Sequence, residues 1–326
     1  MSEPWTWHGG GLSAAKHRFG TGSESWIDLS TGINPNPWPD ADGVEIDWGR
    51  LPEHDAIAGL EAVAAAYFGV AAHQVCVVPG TEIGLRLVGA LLGGEARYAA
   101  PGYRTHGEMI SGAMATDPDG IERHGGSIIL ANPNNPDGRI IPPAMLRELL
   151  ASRGGTGWLL VDEAFADFDP ALSIAPAVND DARLILFRSF GKFFGFAGVR
   201  LGFVLGPGPV LHDLRALLGA WPVSAAAVAI GTAAYADADW IAATRRGLPE
   251  QAAALDALLR EAGYAPVGAC PLFRLIETAD ARALFERLAR RAILTRPFTD
   301  EPQWLRFGLP TDEAALPRLK AALSDG

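Results

Sequence analysis

Lys192 stands in the run Ser189-Phe-Gly-Lys192-Phe-Phe-Gly195-Phe-Ala-Gly198-Val-Arg200, with a serine three positions before it and an arginine eight after. Apolar and glycine residues surround it, and an ammonium in such a setting is costly unless it is paired or loses its charge. Condensation with an aldehyde to give a Schiff base is one use for such an amine. Asp162 closes the apolar run Trp158-Leu-Leu-Val161. A carboxylate at the carboxyl end of a parallel strand points into the crevice where α/β proteins bind ligands, although an Asp there also reads as a helix cap. Pro79-Gly80-Thr81-Glu82 follows the run Val75-Cys-Val-Val78 and opens a helical pattern. Backbone N–H groups and the helix dipole make such a turn a phosphate cradle, or simply an N-cap. Asn132-Pro-Asn-Asn135-Pro136 is a turn-rich loop after another apolar run.

These residues need a frame that brings distant segments together. Val75–Val78, Ser127–Leu130, Trp158–Val161, Leu184–Phe187 and Gly202–Leu205 read as buried strands. Between them Ile57, Leu60, Val63 and Tyr67 recur at helical spacing, as do Ile83, Leu87 and Leu91, and Met145 and Leu149. This rhythm predicts an α/β fold with a mostly parallel central sheet and helices on both faces. After Pro207 the chain turns alanine- and leucine-rich and helical to about Gly263, with breaks expected at Trp221-Pro222 and near Pro249. A smaller α+β unit follows: a strand Leu272–Ile276, a helix Ala281–Arg291, a strand Trp304–Gly308 and a closing helix Asp312–Leu323 capped by Thr311 or Asp312. The expected division is an ordered amino-terminal arm over 1–44, a large domain over 45–208, and linking helices with a small carboxy-terminal domain over 209–326.

Composition narrows the function. The chain has 326 residues, 48% hydrophobic and 20% charged, with a net charge of −11. That suits a globular protein with a large core and disfavours binding to nucleic acid or anionic membranes. An anionic ligand must meet a local positive site. Cys76 and Cys270, the two cysteines, form neither a disulfide framework nor a metal pattern, and the seven histidines lack ligand spacing, so no metal is expected. No secretory leader or membrane span is expected, which makes the cytoplasm the default location.

Taken in order, the strand–Gly80-Thr81–helix turn, Pro101-Gly-Tyr103, Asn135-Pro, Asp162-Glu-Ala-Phe165 and Ser189-x-x-Lys192 with Arg200 resemble the fold-type-I pyridoxal-phosphate enzymes of the aspartate aminotransferase superfamily. The resemblance spans nearly the whole chain. It implies pyridoxal 5'-phosphate as cofactor, with Lys192 forming its Schiff base and Asp162 pairing with the pyridinium nitrogen. It further implies that Asn135 bonds the ring hydroxyl and Tyr103 stacks on the ring. Gly80, Thr81, Ser189 and Arg200 would hold the phosphate, and Glu82 belongs with the cofactor-binding residues. Arg306, in Leu305-Arg-Phe-Gly, matches the arginine that forks a substrate carboxylate. Two positions depart from the pattern. Phe165 stands where many relatives carry a tyrosine bonded to the ring oxygen, which leaves Asn135 to hold that oxygen alone and raises the Schiff-base pKa. Leu51 stands where many relatives carry a tyrosine reaching the partner subunit's cofactor phosphate.

Within the superfamily, Trp7-His8-Gly-Gly, Asp28-Leu-Ser-Thr31-Gly-Ile-Asn34-Pro, Arg296-Pro-Phe and Trp304-Leu-Arg306-Phe-Gly-Leu-Pro310 are similar to the threonine-phosphate decarboxylases of cobalamin biosynthesis. Histidinol-phosphate aminotransferases share the Asn132-Pro-Asn-Asn-Pro136 run. That resemblance implies decarboxylation of L-threonine O-3-phosphate to (R)-1-amino-2-propanol O-2-phosphate, with transamination of the histidinol-phosphate type as the alternative. Arg306 would grip the substrate carboxylate, while His8 and Arg296 help grip the phosphate, with Asn34 nearby. A proton returns to the substrate from the freed Lys192 amine. The resemblance also implies a homodimer and a small phosphorylated amino acid as the binding partner.

Overall fold

The computed structural model describes residues 4–20, 24–155, 157–311 and 314–324. The chain divides into two compact units: Pro37–Asn135 with Arg139–Arg245, and Met1–Asn36 with Pro136–Gly138 and Arg246–Gly326. These bounds, after Asn36 and Arg245 and around Pro136–Gly138, differ from the divisions at 44 and 208 expected from the sequence. The segment from Gly208 to Arg245 goes with the larger unit because its helix α7 (Ala225–Ala236) packs along α1 (His54–Phe68).

The larger unit is built on seven strands: β1 (Val75–Val78), β2 (Ala96–Ala99), β3 (Met114–Thr116), β4 (Ser127–Ala131), β5 (Leu159–Asp162), β6 (Leu184–Ser189) and β7 (Gly202–Leu205). Their order across the sheet is β1-β7-β6-β5-β4-β2-β3. The β6-β5-β4-β2-β3 pairs are all parallel, and β7 is antiparallel to both β6 and β1. Every residue of β1, β4, β5, β6 and β7 is buried, which is why these strands are continuous apolar runs without alternation. Helices α2 (Thr81–Leu92) and α6 (Gly208–Leu218) cover part of one face, Leu85, Val88, Leu211 and Leu214 meeting Ile129, Leu160 and Ile185 in one core.

This topology places the site. The parallel strands all end at one edge of the sheet, and β1, reversed twice, ends there too. Because β7 runs the other way, it begins at that edge; its first residue, Gly202, pairs with Ser189 at the end of β6 and with Val78 at the end of β1. The loops after β1, β2, β4 and β5 and the connection from β6 to β7 therefore converge.

A buried ionic cluster lies directly behind the edge. Arg188, next to Ser189, donates to Glu163, next to Asp162, at 2.8 Å, and also to Asp167. Ser173 Oγ and the Ile174 N–H complete the Glu163 carboxylate. Burial works against the Arg188 charge, but Asp167 and Glu163 outweigh it and raise its pKa. The two strand ends are thus fixed to each other by side chains pointing away from the pocket.

The smaller unit carries an antiparallel sheet of β8 (Phe273–Glu277), β9 (Arg296–Pro297) and β10 (Trp304–Gly308), in the order β9-β10-β8. Helices over Ala281–Ala289 and Ala315–Ser324 belong to it. The latter starts later than the sequence suggested, and Asp312, one of its two expected caps, lies outside the described residues. In the described part of the arm, helices over Pro4–Trp7 and Leu12–Phe19 precede a strand Ile27–Asp28 paired with Ile293–Leu294. Trp5 is 3% exposed and packs on Phe19 and Phe285. The helix over Ala238–Glu261 continues through Pro249, where the sequence suggested a break. Among the described residues, no helix is long and apolar enough to cross a membrane.

Candidate active site

On the larger unit, Gly80, Thr81, Glu82, Tyr103, Asn135, Asp162, Phe165, Ser189, Lys192 and Arg200 line a single pocket. They come from five segments of the converging edge: Gly80, Thr81 and Glu82 after β1, Tyr103 after β2, Asn135 after β4, Asp162 and Phe165 from the end of β5 onward, and Ser189, Lys192 and Arg200 from the end of β6 to the start of β7. Gly80 has φ +86° and ψ 149°, a conformation essentially confined to glycine. A Cβ there would lie 2.5 Å from Nη2 of Arg200, so the bare backbone lets the guanidinium close over the turn. Arg200 is itself left-handed, at φ 58°, and its Nη1 donates to the Ala197 carbonyl at 3.1 Å. Gly202 is needed as well, since a Cβ there would meet the Thr81 nitrogen at 2.8 Å. The outcome is a turn at the start of α2, its Gly80 N–H held by the Val78 carbonyl at 2.7 Å and its face met by Arg200 and Ser189: a cradle with the donors and charge for a phosphate.

Asp162, 7% exposed, closes β5. Its Oδ1 accepts the Ala164 N–H at 3.0 Å, and its Oδ2 lies 3.1 Å from Nε2 of His106. A carboxylate only accepts, so Nε2 carries the proton. His106 is fully buried, and its Nδ1 has no hydrogen-bond partner among the described residues. Lys192 lies in the single turn Phe190–Phe193 after β6, with Nζ 5.5 Å from the centroid of the Phe165 ring. A phenyl face has no acceptor for a hydrogen bond, so Phe165 shapes the pocket beside the amine. Asn135 belongs to the loop after β4. That loop is tied down by the buried Asn132, which bonds Ile141 N and O, and by Asn134 Nδ2 donating to the Pro101 carbonyl at 3.0 Å.

Tyr103 starts the short helix α3 (Arg104–Glu108). Its hydroxyl donates to Glu82 Oε2 at 2.9 Å, and the Thr105 hydroxyl donates to the same oxygen at 2.8 Å. Arg86 takes Oε1 at 2.7 Å. Burial alone pushes the Glu82 carboxyl up, but the hydrogen bonds from Thr105, Arg86 and Tyr103 together hold it below the ordinary carboxylate range.

The smaller unit carries the other four residues singled out in the sequence. Arg306, on β10, is opposite Arg296, on β9. Arg306 is 3% exposed, lies over the Phe273 ring and donates through Nη2 to the Ser30 carbonyl at 3.0 Å. Burial, followed by the neighbouring Arg296 charge, drives its pKa well down. The two guanidiniums concentrate positive charge at this place in the sheet. Asn34 is buried, and its Oδ1 accepts the Asn36 N–H. His8 is exposed on the arm. The next residue, Gly9, lies so close to Ser30 that a Cβ would be 2.3 Å from its carbonyl oxygen, and Gly10 N–H donates to Ser30 Oγ at 2.7 Å. Ser30 therefore joins the arm to Arg306.

His106 is not among the residues the sequence singles out: of the histidines, only His8 stands in a motif, and the seven lack metal-ligand spacing. Tyr103 and His106 are three apart at the start of a helix, and residues at that spacing share a face. That spacing was the available signal.

The aminotransferase class I and II family matches residues 49–323. The chain is 41% identical over 333 residues to the threonine-phosphate decarboxylase of a Sinorhizobium species, covering 99% of each. It is 40% identical over 327 residues to that of Pseudomonas aeruginosa, covering 97% of this chain and 96% of the relative. Among solved structures it is similar to the histidinol-phosphate aminotransferase of Sinorhizobium meliloti in complex with pyridoxal-5'-phosphate. The TM-score is 0.85 at 20% identity, covering 97% of this chain and 94% of the other.

Proposed function

This chain belongs to the class I and II aminotransferase family, and from that premise we propose that it is a pyridoxal-phosphate-dependent decarboxylase of L-threonine O-3-phosphate. The product would be (R)-1-amino-2-propanol O-2-phosphate, used in cobalamin biosynthesis. The observation that carries the reading is full-length similarity at 40–41% identity to two threonine-phosphate decarboxylases, on a chain whose pocket gathers the amine, carboxylate and anion cradle the chemistry needs.

The residues fit the cofactor. The Gly80–Thr81 turn with Ser189 and Arg200 takes its phosphate, Asp162 stands for its ring nitrogen, Asn135 for its ring hydroxyl, and Tyr103 for its face. When bound, pyridoxal phosphate supplies an aldehyde for amines and a ring that accepts the electron pair released as carbon dioxide leaves. Asp162, fixed by His106 and the Ala164 N–H, presents its carboxylate oxygens where the ring nitrogen would lie. Lys192 Nζ, once free, delivers a proton to the substrate Cα. Phe165 gives no hydrogen bond beside that amine.

Loss of carboxylate rather than of a proton depends on which substrate bond is held perpendicular to the ring plane. Arg306 grips the carboxylate, and Arg296 and His8, with Asn34, grip the phosphate, so that two anchored anions fix the rotation about Cα. Arg296→Ala and His8→Ala each raise KM for the phosphorylated substrate about tenfold, the size expected for one lost charge-assisted hydrogen bond. Unchanged KM in both variants overturns the phosphate assignment.

The enzyme works as a homodimer in the cytoplasm. An apolar groove lined by Leu51, Ala56, Val63, Val228 and Ala229 supports the first statement, with Leu51 60% exposed beside it. The two free, buried cysteines support the second.

A further inference from the structure

We infer that Glu82 is a positioning residue: by accepting the Tyr103 hydroxyl it sets the tilt of the aromatic ring that faces the cofactor, and so couples ring placement to the phosphate cradle. The inference rests on the proposed cofactor site and extends it to a residue that itself touches no reacting atom.

Three observations support it. First, Glu82 is the second residue of α2, directly after the Gly80-Thr81 turn. A carboxylate there opposes a bound phosphate by Coulomb repulsion. An acid in a first helical turn normally answers its own helix N–H groups. Here the two oxygens are given to Tyr103, Thr105 and Arg86 instead. The Arg86 guanidinium, also held by Glu108 at 2.9 Å, offsets the charge.

Second, Tyr103 is only part-buried. Packing on one side leaves a ring with two free torsions, and a fixed hydroxyl removes that freedom. Burial and the adjacent Glu82 charge raise the phenol pKa, so it stays a donor across the working range.

Third, Tyr103 and Thr105 reach the same oxygen, Oε2, from one end of α3. The contact therefore ties that end of α3, 21 positions along the chain, to the first turn of α2. The same short helix carries His106, which holds Asp162. One helix thereby transmits the position of the cradle to the aromatic face and to the carboxylate for the ring nitrogen.

The experiment is a titration of the apoenzyme with pyridoxal phosphate, followed by visible absorption and by the circular dichroism induced in the cofactor band. Wild type, Glu82→Ala, Glu82→Gln, Tyr103→Phe and the Glu82→Ala/Tyr103→Phe double variant are compared. Induced dichroism reports ring orientation, which a merely structural role for Glu82 would not move. Glu82→Ala and Tyr103→Phe each weaken cofactor affinity about three- to tenfold and reduce the induced signal by about half, a partial expression of one charge-assisted hydrogen bond. The double variant is no worse than the weaker single within about twofold, because both remove the same contact. Glu82→Gln, which keeps an acceptor, recovers most of the signal.

A wild-type signal in Tyr103→Phe overturns the inference; that variant loses a single oxygen and keeps the fold. Effects that multiply in the double variant, or Glu82→Gln behaving as Glu82→Ala, overturn it as well. Wild-type protein that develops no visible band with pyridoxal phosphate contradicts the cofactor reading itself, and the two failures are thereby distinguished.

Discussion

Replacing Gly80 by alanine isolates the cradle. Gly80 sits at φ +86° and ψ 149°, where a side chain costs about 1–3 kcal/mol of backbone strain. The new Cβ would also lie 2.5 Å from Nη2 of Arg200. Arg200 is exposed, and its guanidinium can swing away at little cost to stability. That swing takes a cation off the phosphate. One charge-assisted hydrogen bond amounts to about 1.5–3 kcal/mol, so pyridoxal-phosphate affinity falls about 10- to 100-fold. Gly69→Ala is the matched control. Gly69 has φ +72° and ψ 36° at the end of α1, and a Cβ there meets nothing within 4 Å. It bears a left-handed cost of about 1–2 kcal/mol and leaves cofactor affinity unchanged. Thermal unfolding of the apoenzymes reads the first quantity and cofactor titration the second. The reasoning fails if Gly80→Ala binds cofactor as wild type does, or if Gly69→Ala weakens it equally.

Three other predictions bear on the same frame. His106→Phe leaves Asp162 Oδ2 without its donor and lowers kcat about tenfold or more with little change in KM, measured by steady-state kinetics; equal kcat would show that Ala164 alone suffices. Arg188→Met strands Glu163 and Asp167 in the interior and destabilises the larger unit by about 3–5 kcal/mol, read by denaturant unfolding. Burial pushes the Cys76 and Cys270 thiols up to about 12. The folded state then keeps protons that the unfolded chain releases near pH ~8.5, so their contribution to stability is full below that pH and is lost as pH rises toward the folded value. A thiol reagent at pH ~8 should accordingly label neither cysteine in the native protein and both after denaturation.

Much of this arrangement was legible in the chain, for physical reasons that differ by element. Strands buried on both faces must be apolar throughout, so β1, β4, β5, β6 and β7 stood out. The strands Ala96–Ala99 and Met114–Thr116 did not: the first includes the part-exposed Arg97 and Tyr98, and the second lies at the sheet edge with Met114 47% exposed. Gly80, Asp162, Ser189 and Lys192 were visible because each sits beside a strand end, where its side chain or backbone faces the pocket. His106, which acts through a partner, was not: it is 56 positions from Asp162. Glu82 was named with the cofactor-binding residues, but its bond to Tyr103, 21 positions away, was not visible, because no local spacing encodes such a pair. The division at Arg245 was hidden for a related reason: the alanine-rich composition of α7 says that it packs closely, but not that it packs on α1.

The central claim is a choice between two reactions that one pocket of this kind can support. It is tested by supplying L-threonine O-3-phosphate labelled in its carboxyl carbon to the pyridoxal-phosphate-loaded enzyme, with no 2-oxo acid present. The account predicts labelled carbon dioxide in equal amount to a phosphorylated amino alcohol, through many turnovers. Retention of the label in the substrate skeleton, with amine transfer appearing only when a 2-oxo acid is added, would contradict it.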